Sequence, residues 1–325
     1  MKKIVIIGAG QLGSRHLQGI AQCSFDVSIE VVEPYKGARD IAFDRYKEIK
    51  ESGFVKDISF YDSIESLSDE IDLVIVATNS NIRAIVTKKL LETKKVKNLV
   101  LEKVLFQRVD EYYMIEKLLE EKGVNCWVNH PRRMFPFYQE LKEMFNGATQ
   151  LSYNFSGGKW GLACNGLHFI DHLAYLTNSL NITLNNEFLD KKIYPSNRDG
   201  FIELNGLLVG KLDNHHFSLY SNRDEAPFIF TISSDRVVIK IYEDMGRVEI
   251  AKKSNKWRWE QIDKKIVYYQ SELSQIMAKD IIINNKTTLP TYKEAMGLHI
   301  PFIESMLKHI NSIDNKENNN ICPIT

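Results

Sequence analysis

The stretch KIVIIGAGQLGSRH, residues 3–16, decides the fold. Its first half is a run of Ile and Val, the pattern of a strand buried on both faces of a parallel sheet. Gly8, Gly10 and Gly13 follow in G-x-G-x-x-G spacing, enclosing Gln11 and Leu12. Leu12, Leu17, Ile20 and Ala21 then recur at helical spacing. Strand, glycine turn and helix in this order make a phosphate cradle. Gly8 permits the tight turn, Gly10 lets the backbone approach a pyrophosphate, and Gly13 lets the helix pack close to the strand. The first N–H groups of the helix, with their partial positive charge, face that pyrophosphate.

A second strand, VSIEVVE (27–33), ends in Glu33. It lies about 20 residues beyond the last glycine, where a carboxylate accepts hydrogen bonds from the adenosine ribose hydroxyls. An acid there repels a 2′-phosphate, so the expected cofactor is NAD ahead of NADP, with Lys36 and Arg39 close enough to soften that preference. The α/β alternation continues. IDLVIVAT (71–78) reads as a strand, IRAIVTKKLLE (82–92) as a helix, and VKNLVLEK (96–103) as a strand. VDEYYMIEKLLEEKG (109–123) is a helix, and VNCWVN (124–129) closes the sheet. Ligands of such sheets sit at the carboxyl ends of the strands. Thr78, Asn79, Glu102 and Lys103 therefore fall along one rim beside the glycine loop.

Composition narrows the function classes. The chain has 325 residues, 44% hydrophobic and 26% charged, and its 42 basic and 42 acidic residues cancel. That balance makes no electrostatic case for nucleic acid or an anionic membrane as partner. No apolar run reaches the roughly 18 residues of a membrane span. The start, MKKIVIIGAGQLG, departs from a secretion signal where the glycines arrive. Cys23, Cys126, Cys164 and Cys322 are widely spaced without a CxxC pair, which reads as a reduced, cytoplasmic protein without a structural zinc.

After residue 130 the texture changes to short alternating segments such as GFIELNGLLVG, FIFTISS and RVVIKIYED, separated by Asn, Asp and Gly. This is the pattern of an antiparallel sheet with one wet face. Two helices finish the chain, a weakly marked one near 269–284 and TYKEAMGLHIPFIESMLKHI (291–310) with Pro301 inside it. The expected fold class is α/β: an N-terminal Rossmann dinucleotide-binding domain, residues 1–128, and a C-terminal α+β domain with an open, mostly antiparallel sheet, residues 129–315. A polar tail, 316–325, is expected to be loosely ordered except at its last residues.

Taken in order, GAGQLGSRH with His16, VIVATNSNIRA, LEKV, GLHFIDHL and LPTYKEAMGLHIPFIESM resemble the motifs of the glucose–fructose oxidoreductase and inositol dehydrogenase family, Gfo/Idh/MocA, over nearly the whole length. The resemblance implies hydride transfer between a nicotinamide and a sugar, cyclitol or nucleotide-sugar carbon. It implies that Lys103 faces the substrate hydroxyl, that His168 transfers the proton, and that Asp171 orients His168 or shapes the pocket. It also implies a homodimer or homotetramer paired through the outer face of the second sheet. Relatives often have a histidine at the position of Arg83, a proline at that of Val104, and an aspartate at that of Cys164. Those departures support a second expectation: a dinucleotide-binding sensor or partner-binding protein of the same fold without turnover.

The segment GGKWGLACNGLHFIDHL (157–173) carries the candidate chemistry of the second domain. Leu167, Ile170, Leu173, Ala174 and Leu176 make an apolar stripe that accounts for the helix but not for His168. His168 and His172 have a spacing zinc can use, yet no third ligand is evident, so no metal site is expected. A histidine titrates near neutrality and can take a hydroxyl proton as hydride leaves. Cys164 reads as a small apolar filler, and Asn165 as a substrate hydrogen-bonding group. Trp160 is a candidate to stack on a sugar ring or to anchor the core. Arg132 and Arg133 are candidates for a substrate carboxylate or phosphate, with Arg83 a further anion contact, which hints at an acidic or nucleotide-linked sugar.

Overall fold

Strands whose side chains are apolar on both faces need helices on both sides, and the first part of the chain supplies them in alternation. The computed structural model describes residues 1–50, 52–314 and 320–325. Six parallel strands, β1 (Lys2–Ile7), β2 (Val27–Val32), β3 (Val55–Tyr61), β4 (Glu70–Val76), β5 (Lys95–Glu102) and β6 (Asn125–Asn129), form one sheet in the order β3-β2-β1-β4-β5-β6. Its helices are α1 (Gln11–Ile20), α2 (Lys36–Lys47), α3 (Ser80–Thr93) and α4 (Val109–Lys122). Ile4 to Ile7 and Leu73 to Val76 are almost fully buried, as central strands of a doubly covered sheet must be. The order reverses between β1 and β4, so the glycine turn after β1 lies at the topological switch point.

The chain divides into two units, and the division differs from the expected cut at residue 128. The first unit comprises Met1–Phe106, Asp110–Pro131 and Tyr268–Lys293; the second comprises Gln107–Val109, Arg132–Val267 and Glu294–Thr325. The weakly marked helix near 269–284 thus returns to the nucleotide-binding unit. Gly19 of α1 is the reason it fits: a Cβ there would stand 2.7 Å from Ser274 Cβ and 2.8 Å from the Ser271 carbonyl oxygen. Leu273, Met277, Ala278 and Ile281 of this returning helix are buried.

In the second unit α5 (Pro136–Phe145) and β7 (Ser152–Gly158) lead to α6 (Leu162–Thr177). The strands β8 (Ile182–Asn185), β9 (Tyr194–Pro195), β10 (Ile202–Glu203), β11 (Gly206–Leu212) and β12 (His215–Asn222) follow. Next come β13 (Ile229–Ser233), β14 (Val237–Tyr242), β15 (Arg247–Lys252) and β16 (Trp259–Asp263). The helix that returns to the first unit is α7 (Gln270–Ile282), and α8 (Tyr292–Asp314) ends the fold with Pro301 inside it. Eight strands form an open sheet in the order β16-β15-β14-β13-β7-β12-β11-β8, antiparallel except for the β7–β12 pair. Phe217 and Leu219 of β12 are buried while Tyr220 is 44% exposed, the alternation of a sheet with one wet face.

The core of this unit is aromatic. Phe155 stacks on Phe169 with ring centroids 3.9 Å apart, and Trp160 and Phe230 meet that pair edge-on. Of the tail expected to be loose, residues 316–319 lie outside the described residues. Its end is fixed: Cys322 and Ile324 are fully buried, the Cys322 N–H donates to the Gln107 carbonyl at 2.9 Å, and the Ile202 N–H donates to the Pro323 carbonyl at 2.9 Å. The cysteines form no disulfide among the described residues. Within the same residues no helix is long and apolar enough to cross a membrane.

Candidate active site

The glycine turn is built as a cradle. Gly8 has φ +90°, and a Cβ on Gly13 would lie 1.7 Å from the Gly8 carbonyl oxygen, so helix and strand meet at a distance only hydrogen permits. Around Gly10 the opposite holds: a Cβ there would meet nothing within 4 Å. Gly10 is also the N-cap of α1, which has no side-chain cap and no acidic residue in its first turn. An uncapped helix N-terminus beside an open backbone fits the pyrophosphate of a dinucleotide. Gln11 is exposed beside it and accepts a hydrogen bond from Arg45 at 2.7 Å, and Leu12 is half-buried.

Glu33 closes the loop from the end of β2. Its carboxylate accepts the Ala9 N–H at 2.9 Å and the Tyr35 N–H at 3.2 Å, which aims the acid at the glycine turn. Arg39 donates to the Glu33 and Pro34 carbonyls, so its charge is engaged by main chain, and Lys36 pairs with Asp40. Asn79 caps α3 with its carbonyl, which accepts the Arg83 N–H at 3.1 Å. Thr78 immediately precedes it at the end of β4.

Glu102 stands at the expected end of β5, with its carboxylate engaged by protein partners. It is 3% exposed, and its Oε1 meets His16 Nε2 at 2.8 Å and accepts Asn129 Nδ2 at 2.6 Å. Burial pushes its carboxyl up, but the hydrogen bond and charge of His16, with Asn129 and Arg83, outweigh it and hold the carboxyl below its usual range. His16 also meets Ser274 Oγ at 2.9 Å, so this pair braces α1, β5, β6 and α7 to one another. Lys103 follows Glu102 directly and is half-buried. Arg83, expected as an anion contact, is 2% exposed and donates to the carbonyls of Thr78, Glu102, Val104 and Leu105.

In the second unit α6 separates its polar residues. His168 is half-buried, whereas Asp171 and His172 are fully buried. Both oxygens of Asp171 accept from Arg133, at 2.9 Å from Nε and 2.7 Å from Nη2. Burial pushes the Asp171 carboxyl up against the pull of Arg133. The Nδ1 of His172 meets the Tyr153 hydroxyl at 3.0 Å. Burial, with Arg132 and Arg133 nearby, holds this imidazole well below its ordinary value and therefore neutral.

Arg132 is likewise not an open fork. It grips Glu243 through both guanidinium ends, with Nη2 at 3.1 Å from Oε2, donates to the Tyr138 hydroxyl at 3.0 Å, and lies 4.3 Å above the Phe169 ring. Trp160 is a core anchor, 8% exposed with its indole N–H donating to the Tyr220 carbonyl at 2.8 Å, rather than a platform for a sugar ring. Cys164 is buried with Sγ 3.7 Å from the Ile202 carbonyl oxygen, and half-buried Asn165 donates to the Trp160 carbonyl at 2.8 Å.

Glu203 is the residue that reading the sequence misses. Its carboxylate reaches from β10 to the N-terminus of α6, accepting the N–H groups of Ala163 and, at 3.4 Å, of Cys164. It caps the helix that carries His168, and burial pushes its carboxyl up. A carboxylate forty positions away leaves no local signal. Among the described residues no group of three or more His, Cys, Asp or Glu is placed to hold a metal ion.

Residues 2–130 match the GFO_IDH_MocA family, described as an oxidoreductase family with an NAD-binding Rossmann fold. No curated protein sequence matches the chain. Among solved structures, a super-repressor mutant of Gal80p from Saccharomyces cerevisiae is 18% identical with a TM-score of 0.72, covering 98% of this chain and 100% of that one. The UDP-N-acetylglucosamine 3-dehydrogenase GnnA from Acidithiobacillus ferrooxidans is 14% identical with a TM-score of 0.68, over 94% and 97% of the two chains. A dehydrogenase (MviM) from Clostridium difficile is 21% identical with a TM-score of 0.67, over 96% and 99%. The family model thus matches residues 2–130, and the chain as a whole shares its fold with these solved structures.

Proposed function

We propose that the protein is an NAD-dependent oxidoreductase that interconverts a carbinol and a carbonyl carbon of a sugar, cyclitol or nucleotide sugar. The observation that carries this reading is the cradle at Gly8, Gly10 and Gly13: an open, uncapped helix N-terminus closed on one side by Glu33. Glu33 selects NAD, because its carboxylate occupies the ribose side and repels a 2′-phosphate. Bound NAD supplies the hydride acceptor in oxidation, and NADH the donor in reduction.

The protein's own residues handle the proton. His168 takes the hydroxyl proton in oxidation and returns it in reduction, since an imidazole ring nitrogen can both accept and donate a proton. Lys103 is the nucleotide-binding unit's proposed hydrogen-bond donor to the substrate hydroxyl, stabilising the negative charge that grows there. Asn165 adds a neutral hydrogen-bonding group. Arg132 and Arg133 are paired with Glu243 and Asp171, so the substrate reading moves from an acidic sugar to a neutral polyol part. The likeness to the UDP-N-acetylglucosamine 3-dehydrogenase supports that class. The outer face of the eight-stranded sheet, with Tyr220 and Ile229 exposed, is the proposed surface for a homodimer or homotetramer.

The test follows nicotinamide absorbance with NAD or NADH against a panel of sugars, sugar acids, cyclitols and nucleotide sugars, with wild type beside His168→Ala. Turnover that falls at least a hundredfold in the variant supports the reading. Equal activity in both removes His168 from the chemistry. The fold shared with a super-repressor favours a second reading, a dinucleotide-binding sensor. Tight NADH binding with no turnover across the panel is its signature.

A further inference from the structure

One buried cation on the nucleotide-binding unit is directed at main-chain carbonyls. Arg83 projects from α3, is 2% exposed, and directs its guanidinium at main chain. Nη1 donates to the carbonyls of Glu102 at 2.7 Å, of Leu105 at 3.0 Å, and of Val104. Nη2 donates to the carbonyl of Thr78. These acceptors lie on two segments, the end of β4 and the end of β5 with the stretch after it, which are neighbouring strand ends on the ligand side of the sheet. The Glu102 carbonyl at the end of β5 and the Val104 and Leu105 carbonyls after it bracket Lys103 from both sides.

We infer that Arg83 is a positioning residue: it fixes the backbone around Lys103, and thereby the direction from which the ammonium meets substrate, by tying that stretch to the end of β4. This rests on Lys103 acting as proposed above. A planar fork with five N–H donors can hold separated carbonyls at fixed directions, which a single ammonium on a flexible stem cannot. Burying a charge without solvent is unfavourable unless its hydrogen bonds are made, so the four carbonyls and the guanidinium hold each other in place. A reacting group displaced by about 1 Å can lose on the order of a hundredfold in rate.

The test is Arg83→Lys in the full-length protein, read by kcat, KM and NADH affinity from nicotinamide fluorescence. The expected result is a fall in kcat of at least tenfold, with the NADH Kd and the substrate KM within threefold of wild type. In a Lys103→Arg background the same substitution should lower kcat by less than threefold, because the group being aimed is already altered. A purely structural brace would lower the melting temperature in both backgrounds and leave this coupling at zero. A kcat within twofold of wild type overturns the inference and leaves the oxidoreductase reading standing. Absence of turnover in the wild type itself, across the whole panel, overturns both. Should Arg83→Lys not bind NADH, Arg83→His is measured in the same way. Failure of both to bind NADH overturns the inference, since Arg83 then serves the fold.

Discussion

Two glycines three residues apart should respond to alanine in opposite ways. At Gly13 a Cβ would sit 1.7 Å from the Gly8 carbonyl oxygen, 2.8 Å from the Gly8 carbonyl carbon and 3.4 Å from Ala77 Cβ. The first two are backbone atoms, so no rotamer change relieves the overlap and α1 must move off β1. Overpacking of this kind costs about 1–3 kcal/mol or more. With a shift of roughly 2–4 °C per kcal/mol for a unit of this size, Gly13→Ala should lower the melting temperature by about 2–12 °C. At Gly10 φ is −64°, which any residue adopts, and a Cβ meets nothing within 4 Å. Gly10→Ala should leave the melting temperature within about 2 °C, since its methyl group enters open space. That space is the proposed place of the pyrophosphate, so NADH affinity should fall at least tenfold, about 1.4 kcal/mol. Thermal unfolding and nicotinamide fluorescence titration of the two variants separate these effects. Wild-type NADH affinity in Gly10→Ala would refute the placement of the dinucleotide on this turn.

Three further outcomes follow from the charges. Glu33→Ser should shift the ratio of NADPH to NADH affinity upward by at least tenfold, and an unchanged ratio in fluorescence titrations would remove Glu33 from the ribose. Asp171→Asn leaves the Arg133 guanidinium buried without its counter-charge and should cost about 3–5 kcal/mol in urea unfolding, whereas Asp171→Leu with Arg133→Met should recover most of it. His172 is held neutral by burial and by the two arginines, so its folded-state pKa lies below the unfolded value near 6.5. The unfolded chain then binds a proton that the folded one does not. Its stabilising contribution is full above that pH and falls as pH drops below it, by at most about 1.4 kcal/mol per unit. Urea midpoints between pH 7.5 and 5 should fall less steeply in His172→Phe than in wild type; parallel slopes would contradict a neutral His172.

The parts of this molecule that were legible in sequence are those whose physics is local. The glycine spacing, the strand before it and the helix after it are consecutive, and Glu33 lies one strand away, so G-x-G-x-x-G and a carboxylate suffice to write the cradle. The return of α7 to the first unit was not legible, because it depends on a missing side chain at Gly19 facing Ser271 and Ser274 more than 250 positions on. Glu102 and Arg83 show the same limit at shorter range. Each stands at the expected strand end or helix start, but the partner of one is His16 and the partners of the other are main-chain carbonyls, which no residue letter displays.

The same limit bears on the substrate. Read as letters, Arg132 and Arg133 beside a candidate active-site helix favour an anionic ligand. In the fold Glu243 and Asp171 return from 111 and 38 positions away and cancel them, at heavy-atom distances that leave no room for a second carboxylate on the same fork. In its first two turns α6 presents, half-buried, a histidine and an amide, groups that recognise hydroxyls by donating and accepting single hydrogen bonds. Discrimination built from such groups is strong against an analogue lacking the hydroxyl, because a buried polar group is then left unpaired. Substrate preference in the panel should therefore depend on the number and configuration of hydroxyls, with deoxy analogues losing far more kcat/KM than analogues whose carboxylate is replaced by a carbinol. A sugar acid preferred a hundredfold or more over its neutral parent would mean that one of the two arginines leaves its partner when substrate binds.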